Sequence, residues 1–140
     1  GYRDRQVLGV VDSDASADRA VGDLAAAGVP AAGIQRFSGA ADAERFDATG
    51  ERHGVGARMR RIVQFSLMDQ LPAMAWYEAA LRQGRSVLAV RTTNRADTQR
   101  AVDAMRAAGG HFINRFGRLA TEEFARWRGP EPPVASLMKH

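Results

Sequence analysis

The chain has no cysteine. Disulfides, thiolate metal sites and cysteine nucleophiles are therefore excluded from its chemistry. It has no apolar run approaching the roughly 18 residues of a membrane-spanning helix, and its first residues, Gly1 to Arg5, lack the apolar stretch of a secretory signal. Cytoplasmic residence without a membrane is the expectation. Aromatic residues make up only 7% of the chain, and Lys139 is its one lysine. The positive charge is therefore carried by arginine, the side chain better suited to bidentate contacts with carboxylates and phosphates.

What is present is an ordinary globular composition, 45% hydrophobic over 140 residues, enough for one core and one domain. The net charge of +4 is uneven. Residues 1–50 hold five arginines against eight carboxylates, and residues 51–140 hold fifteen basic side chains against eight. A basic second half invites anionic partners, although a surplus of this size is also what a solvated face looks like. Nucleic acid is a weaker expectation than a small anion.

The two ends of the chain resemble each other. Val7-Leu8-Gly9-Val10 is echoed by Val87-Leu88-Ala89-Val90, Arg19-Ala20-Val21 by Arg100-Ala101-Val102, and Ile34-Gln35-Arg36-Phe37 by Ile113-Asn114-Arg115-Phe116, at offsets of 80, 81 and 79. Each copy reads as strand, helix, strand. The first helix takes Ser13 or Asp14 as its cap, lines up Ala17, Ala20, Val21 and Leu24, and stops at Gly28. The second starts at Thr93 or Asn94, lines up Thr98, Ala101, Val102 and Met105, and stops at Gly109. Two βαβ units in tandem predict an α+β, ferredoxin-like fold: a four-stranded sheet with both helices on one face.

A helical insertion, about residues 40–84, separates the copies. Apolar spacing predicts one helix over 57–71 and a second opening at Pro72 and ending at Gly84, with Trp76, Tyr77, Ala80 and Leu81 on one face. A last short helix is expected after Thr121, giving a single domain over 1–128 and a disordered tail over 129–140. Alternation assigns Leu8, Val10, Leu88, Val90 and Ile113 to the face under the two repeat helices. Val7, Gly9, Val11, Val87, Ala89, Phe112 and Phe116 fall on the opposite face, too apolar to be wet. The middle helices or a second subunit should cover it, so a homodimer is expected.

Three stretches carry a family resemblance: Asp47-Ala48-Thr49-Gly50-Glu51-Arg52-His53-Gly54, Trp76-Tyr77-Glu78-Ala79-Ala80-Leu81-Arg82-Gln83-Gly84 and Gly109-Gly110-His111-Phe112-Ile113-Asn114-Arg115-Phe116-Gly117. Together they resemble bacterial general-stress-protein-like domains of the heat-induced type, over about residues 5–127. The resemblance implies an intracellular protein linked to stress. It supplies neither a reaction nor a cofactor, and no catalytic residues to carry over.

The candidate ligand site is the segment around Arg52, His53, Gly54, Gly56, Arg58, Arg60 and Arg61. Two glycines before a helix leave backbone N–H groups free to face an anion, and the arginines supply charge. The alternative is a tight turn with solvated arginines. His53 in this basic setting also suits a planar acidic ligand of haem or bilin type, with the arginines on its carboxylates and room beside the small residues Gly9 and Ala89. Those small residues serve equally to let a helix pack close.

His111, at the start of a strand, is expected to hydrogen-bond backbone or a loop, and no histidine pair has the spacing of a zinc site. Arg36 and Arg115 hold matching places and are candidates for a symmetric pair at the sheet edges, or simply for solvent. Asp12 and Asp14 beside Ser13 are explained by helix capping, and Ser66, Ser86, Thr92 and Thr93 lack an identifiable base. The expectation is a non-enzymatic binding or interaction domain.

Overall fold

The computed structural model describes residues 5–43, 67–117 and 121–130. In chain order these form β1 (Arg5–Val11), α1 (Asp14–Ala26), a short 3₁₀ turn (Ala31–Gly33), β2 (Ile34–Ser38), α2 (Gly39–Ala43), α3 (Leu67–Arg82), β3 (Ser86–Thr92), α4 (Arg95–Ala107), β4 (His111–Phe116) and β5 (Thr121–Ala125). The fold is α+β, with one antiparallel sheet of five strands in the order β2-β3-β1-β4-β5.

Two helices begin and end as their sequences dictate. Ser13 accepts from the backbone N–H of Ser16 at the start of α1, and Asn94 accepts from that of Asp97 at the start of α4. Asp97 returns the interaction by accepting from the N–H and hydroxyl of Thr93. These bonds, with the neighbouring Arg100, hold its carboxyl below the usual range, against a small cost of burial. Past the C-termini, Gly28 (φ +93°) and Gly109 (φ +79°) take the left-handed conformation that terminates a helix.

Two layers of apolar side chains lie on either side of the sheet. One joins α1 and α4 to Val7, Val11, Leu88, Val90 and Ile113. The other joins Tyr77, Ala80 and Leu81 of α3 and Ala43 of α2 to Leu8, Val10, Phe37, Val87, Ala89 and Phe116. The second face is thus covered within the chain by helices of the middle region.

β1 therefore faces the opposite way from the sequence expectation, whereas β3 and β4 face as expected. The cause is a slip of one residue. Helices α1 and α4, their caps and their terminal glycines all correspond at an offset of 81, but the strand echo aligns at 80. With a side-chain period of two, one position exchanges the faces. Antiparallel pairing of Val7 with Val90, and of Leu8 with Ala89, fixes the actual register.

Two further expectations are corrected. Residues 121–125 form β5, not a helix: they pair with β4, with Arg115 opposite Glu122 and Phe116 opposite Thr121, so the sheet has five strands rather than four. Helix α3 also starts before Pro72 and continues through it to Arg82, so Pro72 does not open a helix. A proline in the second turn loses one hydrogen bond to the preceding turn. The 57–71 helix expected before it falls mostly outside the described residues.

Candidate functional site

The described chemistry concentrates where β4 begins. Strand β1 pairs with β4 through Leu8 and Asn114, then again through Val10 and His111, with the register shifting between them. Phe112, at the shift, has φ +46°, a left-handed conformation that costs a bulky residue energy and is held only where its surroundings determine it. The surroundings here are specific. The N–H of Phe112 donates to the carbonyl of Arg126 at 2.9 Å. Its own carbonyl oxygen lies 2.9 Å from the Tyr77 hydroxyl and 3.3 Å from Asn114 Nδ2.

Tyr77 is fully buried on α3. Its hydroxyl accepts from Asn114 Nδ2 at 3.0 Å and reaches the carbonyls of both Phe112 and Leu8, the latter at 3.1 Å. With one proton it donates to one carbonyl at a time. Burial drives its phenol well above the ordinary value of 10.0, partly offset by the hydrogen bond from Asn114, so the group stays protonated and acts as a fixed donor and acceptor.

His111, 1% exposed, occupies the next position out. Its Nε2 lies 2.7 Å from Asp12 Oδ1, and its Nδ1 accepts from the backbone N–H of Arg128 at 3.1 Å. A carboxylate only accepts, so the ring proton sits on Nε2 and the imidazole is neutral, with both nitrogens engaged. Burial pulls its pKa below the ordinary 6.5; Asp12 opposes the shift, and the charges of Arg85 and Arg128 reinforce it. The expectation that His111 bonds backbone at a strand start is thus met, with Asp12 as a second partner.

Asp12 is not a helix cap, because Ser13 takes that place; it serves His111 and lies 3.5 Å from Arg85 Nε. The Arg85 side chain, 13% exposed, donates to the carbonyl of Arg128 at 2.9 Å and lies over the Trp127 ring, 5.2 Å from its centroid. Arg128 donates back to the carbonyl of Gly109 at 2.7 Å. Trp127 meets Trp76, Phe112 and His111 edge-on, at centroid distances of 5.0, 5.7 and 5.9 Å.

The sequence marks no relation among Asp12, Arg85, Asn114, Trp127 and Arg128. They meet through strand pairing, and no local spacing announces it.

The segment Arg52, His53, Gly54, Gly56, Arg58, Arg60 and Arg61, read above as the ligand site, lies outside the described residues. The room imagined beside Gly9 for a flat ligand is filled: a Cβ there would stand 2.6 Å from Met105 Sδ and 3.1 Å from Ile113 Cγ1. The small residue lets α4 pack close, as its other reading held. A cleft of about 40 Å³ between the end of α1 and β3, lined by Gly28, Pro30, Arg91 and Arg100 among others, has room for water and not for a ring system.

Arg36 and Arg115 do not form a pair. Arg36 binds Asp18 at 2.5 Å and Asp14 at 3.4 Å, whereas Arg115 binds Glu122 across β4 and β5 at 3.2 Å. Among the described residues, no helix is long and apolar enough to cross a membrane, and no three acidic or histidine side chains gather as metal ligands. Searches of family models, of curated proteins and of solved structures return no match.

Proposed function

We propose that the protein is a non-enzymatic, stress-related binding domain that receives an anionic partner on the arginine-rich segment 52–61; the homodimer expected from an open sheet face loses that ground, since α2 and α3 cover the face. The observation that carries this reading is where that segment is tethered. Residues 44–66 join α2 to α3, and those two helices pack on each other over one face of the sheet. The helices on either side of the segment both pack on the sheet, one against β2 and the other against β3, and binding residues are commonly carried between elements of such a scaffold. Near β4, Tyr77 and Asn114 are meanwhile engaged at the Phe112 carbonyl, and both nitrogens of His111 by Asp12 and the Arg128 N–H.

The architecture belongs to the same proposal. The order β2-β3-β1-β4, with a helix following β1 and another following β3, supports a ferredoxin-like sheet carrying one added strand. Caps at Ser13 and Asn94 and terminal glycines at Gly28 and Gly109, each pair 81 positions apart, support a tandem βαβ origin. Fold alone does not specify function, so the reading rests on the charged segment.

The experiment is a binding titration with inorganic polyphosphate as the anion, on the parent chain and on a variant with Arg58, Arg60 and Arg61 replaced by alanine. Weaker binding by the variant, with an unchanged melting temperature, supports the reading; equal affinity rejects it.

A further inference from the structure

Residues 126–130 leave β5 and cross the end of the sheet as a strap. One end is fixed by the Phe112 N–H to Arg126 carbonyl bond, and the other by Gln83 Nε2, which donates to the carbonyl of Pro130 at 3.2 Å; within the strap, Trp127 Nε1 donates to the same carbonyl. Between them, Arg128 is gripped on both sides of its backbone: its N–H donates to His111 Nδ1, and its carbonyl accepts from Arg85. Gly129 follows at φ +99°, a left-handed conformation that favours glycine, and a Cβ there would displace the Arg85 guanidinium on which the strap lies.

We infer that this strap is a latch released by acid: protonation of His111 breaks its bond to the backbone of Arg128 and frees Trp127 from the aromatic cluster. The proton has one place to go. Nε2 already carries a hydrogen toward Asp12, so an incoming proton takes Nδ1, and the Arg128 N–H then faces another donor.

The charges facing the ring come from three elements: Asp12 after β1, Arg85 ahead of β3 and Arg128 of the strap itself. Asp12 stays on Nε2 and accommodates the imidazolium. The two arginines repel it, and the one able to move away belongs to the strap. The neutral ring that burial favours is therefore also the state that closes the strap. The anchor at Phe112 lies on the β4 side and survives, so β5 remains paired while residues 127–130 swing, giving up the exposed bonds from Arg85, Gln83 and Arg128 to Arg128, Pro130 and Gly109 carbonyls as they leave.

The test uses the full chain with Trp76→Phe, which leaves Trp127 as the only tryptophan. Acrylamide quenching of its fluorescence is followed from pH 8 to pH 5, with circular dichroism monitoring the fold. Quenching should rise in one step below the ordinary histidine value of 6.5 while the dichroism stays constant. Adding Asp12→Asn, which keeps an acceptor at Nε2 but removes the charge that favours protonation, should move the step down by about one pH unit. Adding His111→Gln should abolish it. A flat titration in the Trp76→Phe chain, an unmoved step in Asp12→Asn, or a persisting step in His111→Gln would each overturn the inference. If His111→Gln does not fold, Asp12→Asn decides alone.

Discussion

Nε2 of His111 lies 2.7 Å from Oδ1 of Asp12, although the two residues are 99 positions apart. Strand β1 ends at Val11 and pairs Val10 with His111, so the residue just past the strand arrives beside the ring. A carboxylate that reads locally as part of a helix cap thereby fixes the tautomer of a buried histidine at the start of another strand. The same corner holds the strained Phe112, the Tyr77 hydroxyl and the strap, so several stability effects should converge on it.

Tyr77→Phe should destabilise the fold by about 1–3 kcal/mol, because it leaves Asn114 Nδ2 and a buried carbonyl without their shared partner while preserving the ring. Urea denaturation followed by circular dichroism measures this. A change near zero would mean that the hydroxyl does not support the Phe112 conformation.

Gly9→Ala should cost about 1–3 kcal/mol, since the added Cβ meets Met105 of α4 and Ile113 of the neighbouring β4. The double variant Gly9→Ala, Met105→Ala should recover part of the loss that the two single changes predict, because the space vacated by one takes the methyl of the other. Strict additivity of the two losses would contradict the packing.

Stability should fall on mild acidification. The native pKa of His111 lies below the ordinary 6.5, chiefly through burial. Its contribution is therefore complete above about 6.5 and is lost as the pH falls from there through the lowered native value, where the unfolded chain binds a proton that the native chain refuses. Melting temperatures at pH 8, 7, 6 and 5 should decline over the last two steps, and His111→Gln should flatten that decline.

Much of this fold was legible because helices announce themselves locally. Ser13, Asn94, Gly28 and Gly109 mark both ends of α1 and α4, and their apolar spacing names the buried residues. Strands carry less: the echo between Val7-Leu8-Gly9-Val10 and Val87-Leu88-Ala89-Val90 suggests an alignment one residue out of step, and nothing within β1 itself reveals which face is inward when both are apolar. Strand β5 is not legible locally, because Thr121 followed by Glu122 and Glu123 looks like a capped helix; its pairing depends on Arg115 and on β4, which no local pattern includes. The corner at β4 was half legible. His111 stood out, but its partners Asp12 and Arg128 are set by topology.

The most direct test of the functional account is the affinity of the purified chain for inorganic polyphosphate, compared with the Arg58→Ala, Arg60→Ala, Arg61→Ala variant at two salt concentrations. The account predicts salt-sensitive binding by the parent, and a loss of about tenfold or more in the variant at the lower salt, with melting temperature unchanged. Absence of binding by the parent, or equal affinity in the two proteins, would contradict the assignment of residues 52–61 as the anion-docking segment.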